Sequence, residues 1–334
     1  MNQISRRVQL VDGVAKVTGA LRFTADLHVE DLLHGAIVFS PRPHAHVRKV
    51  YADAALAVNG VHAVFWHANT PACHYNSSIW FSGQDALADE QMFPSAVRHV
   101  GDRVAAVVAD TEEIARRAAR LITVEYEDLP AILAPEAALL HAGSVTLADG
   151  NPSFLNPVAE EGFTHGDPEA GFAASDLVVE TCVSTPRSHH CAIEPHACIA
   201  MPEPDGRILL LSPCQSVFAV QAVVAQALGI PAKRLRVIKT PIGGSFGGKA
   251  EPILDPLCAF FAMKLGRPVT IRYDRHETFT ATRTRSSVTG HMRVGLSAGG
   301  RILARETETL VDIGAYCTGG NYLPGSMLQR LVRL

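Results

Sequence analysis

An α+β fold arranged as two successive units is predicted for this chain, and three observations predict it. The 334 residues are about twice the ~150 of a typical domain. The composition, 47% hydrophobic and 19% charged, is that of a globular chain able to bury a core. Strand-like apolar runs alternate with helix-period segments on both sides of a stretch rich in alanine, proline and glycine. These patterns divide the chain into an N-terminal segment 1–15, an α/β unit 16–128, a linker 129–165 and a second unit 166–334.

In the first unit, "LLHGAIVFS" and "GVHAVFWH" read as strands. Val104 to Ala109 form a continuous apolar run of the buried-strand type. Asp110, followed three positions on by Glu113, has the form of a capping box, and Ile114, Ala118, Leu121 and Ile122 recur at helical spacing before "ITVEYE" alternates as a strand. The linker follows; its "LADGNPSFLNP" carries several turn signals in succession.

The second unit opens with the strand "LVVETCVS". Two further strands, Ile208–Ser212 and Leu235–Lys239, each lead through a turn into a helix. The first helix runs from Ser216 as N-cap to Leu228 and stops at Gly229 with Pro231 beyond. The second sets Leu254, Leu257, Cys258, Phe261 and Leu265 on one face and stops at Gly266. If the two strands are parallel neighbours, both turns leave the same sheet edge, where α/β folds bind ligands, and Cys214, Gln215 and the second turn share one crevice. Further on, a hairpin is expected around Ala298-Gly299-Gly300, its return strand running to Asp312.

Bulk properties narrow the function. A net charge of −3 without any basic run argues against nucleic acid as partner. Seven cysteines without a CxxC pair form no disulfide framework or metal cradle and read as thiols in a reducing compartment. "MNQISRRVQLVDG" lacks the apolar core of a signal peptide, and no stretch approaches the ~20 apolar residues of a membrane span, so a cytoplasmic chain without membrane contact is expected. "GSMLQRLVRL" stops on apolar residues without a cap, as though a longer chain continued.

The second turn, "TPIGGSFGGKAEP", holds four glycines and suggests a backbone opened to a ligand. Gly243, Gly248 and Lys249 satisfy G-x-x-x-x-G-K, the phosphate-binding pattern. Ala250, however, stands where a hydroxyl would hold Mg²⁺, and Asp312 alone offers a second metal carboxylate, so a nucleotide-hydrolysing P-loop protein is the alternative reading. "SHHCAIEPHAC", residues 188–198, gathers His189, His190, Glu194 and His196 in a spacing that matches no common zinc pattern; packing roles are favoured there. "RYDRHETFTATRTRSS" sets Arg272, Arg275, Arg283 and Arg285 against Asp274 and Glu277, and an ion-paired surface segment is favoured over a substrate anion site.

Taken in order, "DGVAKVTGALRFTADL", "SPRPHAHVRKV", "HVGDRVAAVVADTEEIARRAARLITVEYEDLPAI", "GDPEAGFAASDLVVE", "IEPHACIA", "SPCQSVFAVQAVVAQALGIP", "IGGSFGGK", "RHETF" and "DIGAY" resemble the molybdenum-binding subunit of the molybdenum hydroxylases, the xanthine dehydrogenase and aldehyde oxidase family. The resemblance covers nearly the whole chain. It implies a hammerhead-like α/β first domain followed by an incomplete molybdopterin-binding α+β domain. It also implies a molybdopterin (Mo) cofactor bordered by Gln215, Gly243, Gly244, Phe246, Gly247 and Gly248, with Gln215 and Phe246 beside the molybdenum without ligating it.

The xanthine dehydrogenases of this family carry a substrate-contacting glutamate directly after the loop lysine. Here Ala250 stands there and Glu251 one position on, a helical step that turns a side chain by about 100°. Ala250 and Glu251 are therefore the substrate-side positions, and a purine, another N-heterocycle or an aldehyde is the expected substrate. The family's catalytic glutamate lies beyond Leu334, so no catalytic residue is expected within this chain, and the chain alone is expected to be inert. Iron–sulfur clusters and FAD are implied on partner subunits, hence a hetero-oligomer. A non-catalytic scaffold keeping the family fold is the remaining alternative.

Overall fold

A computed structural model describes residues 8–78, 88–140 and 162–318. Among them, thirteen strands make three sheets. In chain order they are β1 (Leu33–Phe39), β2 (Ala45–Tyr51), β3 (Val61–Trp66), β4 (Ala96–Val97), β5 (Arg103–Ala109), β6 (Thr123–Asp128) and β7 (Leu177–Thr185). They continue as β8 (Ala197–Pro202), β9 (Ile208–Ser212), β10 (Leu235–Lys239), β11 (Val269–Arg272), β12 (Ser287–Leu296) and β13 (Ile302–Asp312). Four helices matter for the site: α1 (Glu112–Ala119), α2 (Val217–Leu228), α3 (Asp255–Leu265) and α4 (Arg275–Ala281).

The largest sheet has seven strands in the order β10-β9-β8-β11-β1-β5-β3 and takes strands from both sides of residues 129–165. Strands β1 and β11 join the two sides in parallel, with Leu33 opposite Val269 and Gly35 opposite Ile271. One core serves both: the Phe65 ring of β3 stacks on Phe261 of α3 at 4.7 Å between centroids, and Leu33, Val108, Leu210, Val223 and Leu257 belong to the same buried cluster. Of the residues read as a linker, Pro135–Leu140 form a helix, and 141–161 lie outside the described residues.

Local signals hold in the second half. Strands β9 and β10 are parallel neighbours, Ile208 facing Leu235 and Ser212 facing Lys239. The Ser216 hydroxyl caps α2 by accepting from the Ala219 N–H, and Gly229 closes the helix in the left-handed region at φ 63°. Helix α3 is buried on more than the expected face, since Ala259 and Phe260 are buried alongside Leu257, Cys258 and Phe261; it lies inside the molecule rather than on it. The β12–β13 hairpin turns where expected, with Gly300 at φ 80°.

Two expectations are corrected. The cap of α1 is Thr111, whose side chain accepts from the Ile114 N–H, while Asp110 instead meets His62 Nε2 at 2.6 Å. Leu121 lies beyond the end of α1 and is 44% exposed.

Candidate functional site around the glycine loop

Strand β10 delivers the chain to Thr240, and residues 241–254 then return to α3. The N-terminal half holds both ends of this loop. Thr24 and Thr240 share a buried hydroxyl–hydroxyl bond of 2.6 Å at its start. At its end, Arg103 donates to the Ile253 carbonyl at 2.9 Å.

The four glycines have two different local reasons. An added Cβ would fall 2.6 Å from the Glu194 Cβ at Gly243 and 2.8 Å from His190 Nδ1 at Gly248, so these two positions admit the close approach of residues 188–198. Gly244 and Gly247 sit at φ 101° and 95°, where a side chain is strained. Between them Phe246, with a full side chain, takes φ 52° and leaves its ring 75% exposed. A large apolar residue held in the left-handed region and offered to solvent is the kind of strain found at ligand-binding loops.

Gln215 is where the strand-end argument puts it. Its backbone N–H donates to the Lys249 carbonyl at 3.0 Å and its side chain is exposed. Cys214 and Lys249 line one small pocket with His196, Ser212 and Asp255. Burial pushes the Cys214 thiol up to about 11, which keeps it a neutral packing group at ordinary pH.

The segment 188–198 proves to be the underside of the loop. The Glu194 carboxylate accepts from the Gly243 N–H at 2.8 Å and from Lys249 Nζ at 2.6 Å. Burial presses the His196 imidazole down to about 4, so the ring is neutral and its Nε2–H donates to the Gly248 carbonyl at 2.9 Å. His189 meets the Thr282 hydroxyl at 3.1 Å. Among the described residues no group of three or more His, Cys, Asp or Glu side chains is placed to hold a metal ion.

Two further expectations change. Glu251, expected beside Ala250 on the substrate side, turns inward: its carboxylate accepts from Arg283 Nε at 2.7 Å, from Ser77 Oγ at 2.9 Å and from Ser78 Oγ. Arg283 also bonds Glu90, so this arginine is a half-buried connector rather than a surface charge. Burial alone would lower Arg283, but Glu90 and Glu251 outweigh it and hold the guanidinium charged. Arg272 keeps to the expected ion-paired surface, bonding Glu112 at 3.1 Å. The P-loop alternative gains no support: Lys249 is engaged by Glu194, and Asp312 pairs with Arg187 at 2.6 Å.

What remains at the loop tip is a row of donors. Among the described residues the peptide N–H groups of Gly244, Ser245, Phe246 and Gly247 donate to no acceptor. Consecutive peptide N–H groups left without an acceptor can take anionic or oxo groups. The donor set at the tip therefore fits an anionic, oxo-bearing cofactor.

The chain belongs to the molybdenum hydroxylase large-subunit family. It matches the molybdopterin cofactor-binding domain over residues 152–333, more than half its length. Residues 18–130 match the a/b hammerhead domain of aldehyde oxidase and xanthine dehydrogenase. Among individual proteins, it is 34% identical over 316 residues to the xanthine dehydrogenase molybdenum-binding subunit of Escherichia coli, covering 93% of this chain and 41% of that one. It is 31% identical to the nicotinate dehydrogenase large molybdopterin subunit of Eubacterium barkeri, covering 93% and 70%. The aldehyde oxidoreductase structure from Desulfovibrio gigas superimposes with a TM-score of 0.80 at 30% identity over 90% of this chain and 34% of that one. The chain thus spans well under half the length of the Escherichia coli relative. Among the described residues, no helix is long and apolar enough to cross a membrane.

Sequence reasoning located the glycine loop and Gln215 and missed Glu194 and Arg283 as its supports. A signal for the first was present: an acidic residue inside an apolar, histidine-rich stretch needs a cationic partner, and Lys249 is the lysine of an otherwise glycine-rich turn.

Proposed function

We propose that this chain supplies the cofactor-facing loop of a molybdenum hydroxylase that oxidises an N-heterocycle, a purine or an aldehyde, with iron–sulfur and FAD subunits as electron-accepting partners. The observation that carries the reading is the run of peptide N–H groups at 244–247 that donate to no acceptor among the described residues, on a loop that Gln215 joins through its backbone bond to the Lys249 carbonyl. In this reading Gly243, Gly244, Gly247 and Gly248 shape the loop, the tip N–H groups and the Gln215 amide hold the pterin and oxo groups, and Phe246 borders the molybdenum without ligating it.

When bound, the molybdenum–pterin group supplies a two-electron oxidation in which water provides the oxygen added to an electron-poor carbon. The residues of this chain bind and orient. Peptide donors preorganised in a partly dry loop stabilise developing negative charge more strongly than water does. Ala250 presents only a methyl group where a carboxylate would contact a purine, which favours substrates recognised without it. The general base that would activate the water-derived oxygen is proposed to lie outside these 334 residues.

The test is elemental analysis of the full-length protein purified with its co-expressed partners. About one molybdenum per large subunit is expected, falling several-fold when the tip peptide geometry is disturbed by Gly247→Val. A wild-type protein free of molybdenum and pterin would overturn the reading.

A further inference from the structure

One oxygen of Glu194 touches both ends of the glycine run. Its Oε2 accepts from the N–H of Gly243, the first glycine, and from the ammonium of Lys249, the residue after the last one. The lysine side chain is 3% exposed and the glutamate side chain 11%. The second glutamate oxygen, Oε1, is buried without a partner among the described residues. Position 243 has to be glycine for this approach, because a Cβ there would meet the Glu194 Cβ at 2.6 Å.

We propose that Glu194 is a positioning residue that fastens the glycine loop into a closed ring from Gly243 to Lys249 and withdraws the lysine's charge from the site. It rests on the function proposed above and adds a division of labour to it. The anion-facing donors are the uncharged peptide groups of 244–247, and the conspicuous lysine of the motif works inward. A lysine that met the anionic cofactor would direct its ammonium at the loop tip; this one lies beneath the loop on a carboxylate. The pair is neutral overall, so the field at the tip comes from peptide dipoles fixed in place by the ring. Gly248, next to the lysine, is pressed against His190 on the same underside, so the lysine's neighbour cannot swing outward without parting from that ring.

The experiment uses the full-length protein with its partners and three variants: Glu194→Gln, Lys249→Met, and both together. Molybdenum and pterin content is read beside amide hydrogen exchange at Gly243 and Gly248, the bonded amides of the loop, and the global melting temperature. Each single variant strands one buried charge, and exchange in the loop is expected to rise at least about tenfold while molybdenum content falls several-fold. The double variant strands neither charge and keeps the shape, and it is expected to recover loading to within about twofold of wild type. A double variant that melts like wild type yet stays as empty as Lys249→Met would show that the lysine meets the cofactor itself, and would overturn the proposal. Unchanged exchange in Glu194→Gln would overturn it too. If the wild-type protein holds no molybdenum, the proposed function fails while the exchange measurement still decides the role of Glu194.

Discussion

Two arginines of this chain each sit between two glutamates, and only their surroundings differ. Arg283 lies between Glu90 and Glu251 where the N-terminal half meets the end of the glycine loop, the three side chains being 26%, 3% and 15% exposed. Arg293 lies between Glu180 and Glu306 on the three-stranded sheet β13-β12-β7, with side chains 39%, 56% and 59% exposed. Water competes for the second trio and salt screens it, so its bonds contribute little. The first trio has given up most of its water, and no member can lose its partner cheaply. Identical composition thus does two jobs: a bolt between distant stretches of chain in one place, solubility in the other.

The comparison breaks most sharply at Arg283. Arg283→Met leaves Glu90 and Glu251 facing one another without a cation and is expected to lower stability by about 3–5 kcal/mol in urea denaturation of the full-length protein. Arg293→Met is the control, expected to leave the urea midpoint unchanged. Equal effects from the two substitutions would abolish the distinction.

Asp89 sharpens the same contrast through pH. Burial pushes its carboxyl up to about 6, against the pull of the Cys317 N–H and Arg98. Because the folded-state value is raised above 3.8, the protonated folded form is favoured. The stabilising contribution is full below about pH 4 and is lost as pH rises through 6, a change of about 3 kcal/mol. Asp89→Asn should remove this slope from a urea series between pH 4 and 7. His196, pressed down to about 4, acts with the opposite sign, its contribution being lost as pH falls from about 6.5 through 4. The two slopes are separable only with the Asp89 variant in hand.

Packing should follow the same divide on a smaller scale. Gly243→Ala forces a methyl against Glu194 and is expected to cost about 1–3 kcal/mol, read from the urea midpoint. Gly290→Ala on the open sheet meets nothing nearer than the Val183 carbonyl oxygen at 4.0 Å and is expected to be the mildest change of all. A Gly290 variant as damaged as Gly243→Ala would contradict the assignment of the two regions.

What could be read from sequence follows the range of the forces involved. Strands β9 and β10 and helices α2 and α3 are set by apolar runs, the Ser216 cap and the Gly229 and Gly266 stops, all within a few residues, and these stand in the structure. The strand-turn-helix repeat raises the parallel pairing of those strands only as a condition; the structure meets it and brings the Gln215 N–H to the Lys249 carbonyl. Asp110 reads as the cap because its acidic partner Glu113 lies three positions on, but His62 from another strand engages Asp110 and the cap passes to Thr111. Arg283 was illegible for a stronger reason: its burial is created by Ser77 and Glu90, whose positions depend on the whole fold. Glu251 shares that fate, since its partners reach it from the N-terminal half and from the far side of α4.

The pairing of β1 with β11 has a consequence for the birth of the protein. Leu33–Gly35 emerge from the ribosome early, yet the strand they lie against is not made until Val269–Ile271. Until then the inner edge of a nascent β-sheet stands bare, with its peptide groups open to any passing strand. Synthesis of this chain therefore includes a long interval in which the edge of β1 waits, unpaired, for residues more than two hundred positions downstream.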